Sequence, residues 1–218
     1  MAPVPIVVLI SGEGTNLQAI IDAAAGGSLP VRIRAVISNR PGARGLVRAR
    51  RAGIETGAVD HTRFTRRSDF DEALRQAIDR YHPELVVLAG FMRVLGQPFV
   101  DHYRDRLINI HPSLLPAFPG LHTHRRALEA GVAEHGASVH FVTNQVDGGP
   151  VIMRVRVPVR PGDDTKALGA RVLRREHALY VKVIGWFAEG RLRLIDGVPQ
   201  LDGRPLAQPL DYDEVTGR

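Results

Sequence analysis

An asparagine and a histidine stand one residue apart in Leu107-Ile108-Asn109-Ile110-His111, an apolar run that stops at Pro112. Such a run predicts a β-strand, and in a strand residues i and i+2 point to the same face. A carboxamide beside an imidazole can polarise a carbonyl, stabilise the oxyanion formed when that carbonyl is attacked, and move a proton. Pro112, Pro116, Pro119 and Gly120 make the chain that follows a stiff, irregular loop. Asp147 lies 36 residues beyond His111, in the glycine-rich stretch Asn144-Gln145-Val146-Asp147-Gly148-Gly149-Pro150. A carboxylate brought beside the imidazole would raise its pKa and keep it cationic. The plainer alternatives are a buried structural pair at a strand end and, for Asp147, a turn residue.

A second candidate is Ser11-Gly12-Glu13-Gly14-Thr15-Asn16, between an apolar run and a stretch with helical spacing. Backbone N–H groups and a helix N-terminus at such a loop suit an anion. The loop lacks the third glycine of the dinucleotide fingerprint, and Ser38-Asn39-Arg40 stand where an acidic residue would follow the second strand. A nicotinamide cofactor is therefore disfavoured, although an arginine there could meet a 2′-phosphate. No Gly-Lys-Ser/Thr follows, which excludes a Walker loop. A site for one phosphate monoester remains, against a plain turn. The nine histidines show no H-E-x-x-H or comparable metal-ligand spacing, and no G-x-S-x-G elbow is present, so neither a metal nor a serine nucleophile is expected.

These residues need strands to carry them. Val4–Ile10 reads as a strand buried on both faces, followed by a helix over Leu17–Ala25 that ends at Gly26-Gly27. Strands over Val31–Ile37, Glu55–Val59 and Glu84–Ala89 alternate with helices over Ala43–Ala52 and from Ser68 to about Tyr81. Ser68 is expected to cap that last helix, with Asp71 as the capping-box carboxylate. Pro98–Tyr103 is a short helix before the Asn-His strand. This alternation predicts an α/β, Rossmann-like, doubly wound and mostly parallel sheet. Ligands of such sheets bind beyond the carboxyl ends of the strands, where the glycine loop, Gly90-Phe91-Met92-Arg93 and Asn109-Ile110-His111 all fall. The C-terminal half predicts antiparallel additions: a helix over Thr123–Ala130, strands Ala137–Thr143 and Val151–Val159, a long helix Thr165–Ala188, and a hairpin of Arg191–Ile195 with Val198–Leu201 around Asp196-Gly197. The chain from Pro205 is polar and expected to be loosely ordered.

With 44% hydrophobic and 24% charged residues, the composition is that of a globular protein. The absence of cysteine excludes disulfides, thiolate metal sites and cysteine nucleophiles. No basic region precedes the short N-terminal apolar run, so neither a signal peptide nor a membrane span is expected and a cytoplasmic location is the default. The net charge of +6 comes from scattered arginines, with lysine only at Lys166 and Lys182. Arginine in place of lysine across the whole chain reads as a genomic bias rather than a nucleic-acid footprint, and a small anionic substrate, especially a phosphate, would also fit a positive cleft.

The segments VVLISGEGTNLQAIIDA, VVLAGFMRVL, LINIHPSLLPAFPGLHTH, EHGASVHFV, VDGGPVI and REHALY resemble the phosphoribosylglycinamide formyltransferases, the folate-dependent GAR transformylases of purine biosynthesis. The resemblance runs from Val7 to about Gly190. It implies the formyltransferase fold and attack of the glycinamide amine on the formyl group of 10-formyltetrahydrofolate, a cosubstrate, with no metal. It implies catalytic roles for Asn109, His111 and Asp147. Gly14, Thr15 and Asn16 match the loop that holds the ribonucleotide phosphate, and Glu176 the residue at its ribose or glycinamide end. Arg67, Met92, Arg93, Val94 and Leu95 match the folate side, with Asn109 shared, and Thr143, Asn144, Gln145 and Val146 match the loop around the pterin. Ala137 and Glu13 depart from the family pattern, where Thr and Asn or Asp are usual. A single formyltransferase domain is expected over 1–204, with a nucleotide-phosphate half at 1–105, a catalytic and folate half at 106–204, and a flexible tail at 205–218. The resemblance implies small-molecule substrates, no nucleic-acid or membrane partner, and a monomer or homodimer. Formyltetrahydrofolate deformylases share the Asn-His-Asp set but carry an added N-terminal regulatory domain. Methionyl-tRNA formyltransferases carry a C-terminal barrel for which 218 residues leave no room. A basic Rossmann-like RNA-binding module is the alternative from outside enzymology, and would require salt-dependent RNA affinity.

Overall fold

Val4–Ile10 (β1) forms the strand that its apolar run predicts, and Ile6 to Ile10 are wholly buried. A strand with no solvent face needs no polar alternation, which is why the run is continuous. The protein is described here in a computed structural model, over residues 2–217; the chain divides after Asn109 into two compact units.

The first unit alternates strand and helix: β1, α1 (Thr15–Ala25), β2 (Val31–Ser38), α2 (Arg44–Arg51), β3 (Thr56–Ala58), α3 (Arg67–Asp79), β4 (Leu85–Leu88), α4 (Gln97–His102) and β5 (Leu107–His111), with a short 3-10 turn at His61–Arg63. Its strands are all parallel, in the order β3-β2-β1-β4-β5. Leu9 pairs with Leu88 and Leu88 with Asn109. The register therefore sets the Ser11–Asn16 loop, the Gly90–Gly96 segment and Asn109 along one carboxyl edge, the edge where doubly wound sheets bind ligands. Leu17, Ile20 and Ile21 give α1 its buried stripe at helical spacing. β5 carries the chain across the division, ending two residues later at His111.

One expectation fails inside this unit. Helix α3 starts at Arg67, and Arg66 precedes it with no side-chain cap. Ser68 lies within the first turn and Asp71 is buried, accepting a hydrogen bond from Gly96. The first turn is supported instead by Arg66, whose guanidinium forms a two-point pair with Asp69.

The second unit holds α5 (Thr123–Glu129), β6 (Glu134–Phe141), β7 (Val151–Pro158), α6 (Thr165–Ala188), β8 (Leu192–Ile195), β9 (Val198–Leu201), β10 (Arg204–Pro205), β11 (Leu210–Asp211) and α7 (Tyr212–Thr216). β6 and β7 are antiparallel, the predicted addition to a mostly parallel architecture. Asp164 caps α6 by accepting the Ala167 N–H at 2.7 Å, and Leu168, Val172, Leu179 and Val183 form its buried stripe. Asp196 and Gly197 both have positive φ, the backbone that a two-residue hairpin turn requires. Asp202-Gly203 repeats that turn and adds β10 to a three-stranded sheet. The tail also differs from expectation. Leu210 and Asp211 pair in parallel with β7, Tyr212 is buried, and Asp211 and Asp213 form ion pairs with Arg156 and Arg175. Two apolar side chains and two acids suffice to dock a segment whose composition reads as polar. Among the described residues no helix is long and apolar enough to cross a membrane.

Candidate active site

In the first unit the loop after β1 forms a cradle. Gly14 precedes α1 in the left-handed region, and no side chain caps the helix. A helix N-terminus without a side-chain cap suits an anion. A Cβ on Gly14 would lie 2.7 Å from the Cα of Gly45, whose own N–H donates to the Gly12 carbonyl at 3.0 Å. Two glycine backbones in contact thus shape the loop, a reason for glycine that goes beyond the turn itself. The loop opens on a cavity of about 260 Å³ lined by residues 11–16 with Arg40, Gly90 and Met92. Arg48 donates to the Glu13 carbonyl at 2.8 Å and Arg44 pairs with its carboxylate, drawing that charge toward α2. The Arg40 guanidinium has no side-chain partner among the described residues.

Beneath the cradle Ser11 joins two loops. Its hydroxyl donates to the Asn39 carboxamide oxygen at 2.5 Å and accepts the Met92 N–H at 2.7 Å. Asn39 stands where a dinucleotide site would carry an acid, and its role is this bond. Of the residues expected on the folate side, Leu95 is buried, Met92, Arg93 and Val94 are exposed, and Arg67 lies beside Gly96. Asn109 is half-buried at the end of the same carboxyl edge.

The second unit begins with Ile110 and His111. The His111 Nε2 donates to the Phe118 carbonyl at 3.0 Å, because a carbonyl can only accept. Its Nδ1 is then the nitrogen that faces Asp147, at 3.4 Å from Oδ2. The same Oδ2 accepts the Gly120 N–H at 2.8 Å, while Oδ1 lies 3.8 Å from His140 Nε2. Asp147 has φ near 50°, and its side chain is only 12% exposed. Gly149 closes the loop where no side chain fits, since a Cβ there would meet the Phe141 carbonyl oxygen at 1.8 Å. The glycine-rich loop thus holds the carboxylate in place.

Three further histidines surround this pair. Burial lowers the pKa of His124 and His140 and brings that of His135 down to about 4. His124 Nδ1 lies 3.1 Å from His135 Nε2, and the Phe118 ring meets His135 edge-on. These neutral rings back the loop that supplies the Phe118 carbonyl. No group of three or more metal-ligating side chains occurs among the described residues. Glu176 is buried on α6, while Thr143, Asn144, Gln145 and Val146 lie in the Asp147 loop, with Val146 half exposed.

Sequence reasoning missed His140, the Phe118 carbonyl and the bond that ties Ser11 to Asn39. His140 could have been found, since it shares a strand face with Ser138. A backbone carbonyl carries no sequence signal.

Against known proteins, the formyl transferase family model matches residues 4–184. The phosphoribosylglycinamide formyltransferase of Escherichia coli K12 is 56% identical over 201 residues, 92% of this chain and 95% of that protein. The enzyme of that name from Haemophilus influenzae is 45% identical over the same shares. The solved phosphoribosylglycinamide formyltransferase of Coxiella burnetii superposes with a TM-score of 0.92 at 54% identity, over 96% of this chain and 99% of that one.

Proposed function

The chain belongs to the formyl transferase family, and from that membership we infer how it transfers a formyl group to the amine of glycinamide ribonucleotide in purine biosynthesis. The donor is 10-formyltetrahydrofolate. The observation that carries the mechanism is the His111–Asp147 pair: Nε2 committed to a backbone carbonyl, Nδ1 facing a carboxylate at 3.4 Å. Such a group holds a proton and returns it through one nitrogen.

The ribonucleotide phosphate sits on the N–H groups of Gly14, Thr15 and Asn16, and Glu176 holds the ribose or glycinamide end. Arg67, Met92, Arg93, Val94 and Leu95 serve the folate, with Asn109 and the Thr143, Asn144, Gln145 and Val146 loop. The glycinamide nitrogen attacks the formyl carbon. A C–N bond forms, and the carbonyl electron pair moves to oxygen. Asn109 donates a hydrogen bond to that oxyanion, and protonated His111 adds a positive charge. The attacking nitrogen then loses a proton while the folate N10 gains one, with His111 and Asp147 passing it between them. The C–N10 bond breaks, leaving formylglycinamide ribonucleotide and tetrahydrofolate.

The test uses a carbon-13 formyl donor and mass analysis of the products. The label is expected on the ribonucleotide, one formyl per tetrahydrofolate formed. Label released as free formate instead would make water the acceptor and contradict the reading.

A further inference from the structure

Asp71 is a buried carboxylate with no part in the proposed reaction. It is 7% exposed on α3. Its Oδ2 accepts the Gly96 N–H at 2.8 Å, and its Oδ1 is buried with no hydrogen-bond partner. An acid left half-satisfied in the interior costs stability, so a fold keeps one only where it serves something. Burial raises its pKa, with the Gly96 N–H and the charges of Arg67 and Arg93 opposing that rise. A Cβ at Gly96 would lie 2.8 Å from Asp71 Oδ2, so a side chain there would displace the carboxylate.

Gly96 ends the segment that starts at Gly90, and the start is tied as well. The Ser11 N–H donates to the Gly90 carbonyl at 3.1 Å, and the Met92 N–H donates to the Ser11 hydroxyl at 2.7 Å. Between the two ties Phe91 and Leu95 turn inward, each 8% exposed, while Met92 and Val94 are 59% and 52% exposed. The Arg93 guanidinium lies 5.9 Å over the ring of Phe70, the residue before Asp71. A segment tied at both ends by buried polar side chains, and stacked in the middle, has less conformational freedom to lose when a ligand binds.

We infer that Asp71 is a positioning residue for the folate cosubstrate, its carboxylate anchoring the far end of Met92–Leu95 so that this segment meets folate already in its binding conformation. The inference rests on the reading of Met92–Leu95 as the folate segment.

Steady-state kinetics on Asp71→Asn, Asp71→Ala and Asp71→Leu, with both substrates varied and melting curves alongside, tests it. Asn keeps an oxygen for the Gly96 N–H. Ala and Leu do not, and Leu preserves the volume if Ala fails to fold. The folate KM is expected to rise about 10-fold in Ala and Leu and to stay within about twofold in Asn, with the ribonucleotide KM unchanged throughout. An unchanged folate KM in Ala and Leu overturns the inference. So does an equal rise in both KM values with a lower melting temperature, which would make Asp71 merely structural. A rise in Asn as large as in Ala also overturns it, by placing the effect in the charge beside Arg67 and Arg93. Met92→Asp separates the inference from its premise. A raised folate KM there with none in Asp71→Ala sinks the anchor alone, whereas flat responses in both sink the folate segment as well.

Discussion

Asp147 divides one carboxylate between the Gly120 N–H and the Nδ1 of His111. An amide at this position retains an oxygen for Gly120 but carries no charge to face the imidazole. Asp147→Asn is therefore expected to fold normally and to lose about 10²- to 10⁴-fold in kcat. His111→Ala should fall by a similar factor, and the double variant should be little worse than either, because two groups that pass one proton act as a unit. Single-turnover kinetics with melting curves checks this; additive losses would mean that the two residues work independently. At this scale the sequence revealed what residue type alone can reveal. Asn109, His111 and Asp147 stand out because few side chains do acid-base or oxyanion chemistry. The Phe118 carbonyl and the Asp71–Gly96 bond did not, because each is a partnership made by tertiary packing.

Helix α1 meets its neighbour through glycine backbones, and that contact makes the cradle. Gly14→Val would place a β-branched side chain at a φ of 70° and its Cβ 2.7 Å from the Cα of Gly45. It is expected to raise the ribonucleotide KM by about 10-fold or more, to leave the folate KM unchanged, and to cost about 1–3 kcal/mol of stability. Titration calorimetry with each substrate and urea unfolding check the three parts; equal loss of both substrates would argue against a phosphate cradle. The strands and most helices were readable because buried parallel strands are continuous apolar runs and α6 carries a buried stripe at helical spacing. The start of α3 was misread because Ser68 and Asp71 have capping spacing, yet the helix begins one residue earlier and Asp71 is drawn inward to Gly96. The C-terminal segment was misread because a single strand pairing and one buried tyrosine leave little trace in composition.

Across the whole molecule, buried neutral histidines tie stability to pH. The pKa of His135 is about 4 in the fold against 6.5 outside it, a difference on the order of 3 kcal/mol. With the folded value depressed, the unfolded chain binds the proton first. The contribution is complete above about pH 6.5 and is lost as pH falls toward about 4. His124, His140 and His177 are lowered too and act in the same direction. Carboxylates held at about 2 by arginines, Glu72 and Asp163, titrate below that window. Urea midpoints are thus expected to fall steadily between pH 6.5 and 4, and less steeply in His135→Gln; a flat profile would contradict the burial argument. The net charge of +6 has a kinetic counterpart. Salt is expected to raise the KM of the phosphate-bearing substrate several-fold between low and physiological ionic strength, with kcat little changed.

The central claim is that the two substrates meet in one reaction, with the ribonucleotide amine as the acceptor. The most direct measurement is the optical signal of tetrahydrofolate released from 10-formyltetrahydrofolate, recorded with and without glycinamide ribonucleotide. Release is expected only when the ribonucleotide is present, and is expected to fall about 10²- to 10⁴-fold in His111→Ala. Release at the same rate without the ribonucleotide would contradict the account and make the enzyme a hydrolase of its donor.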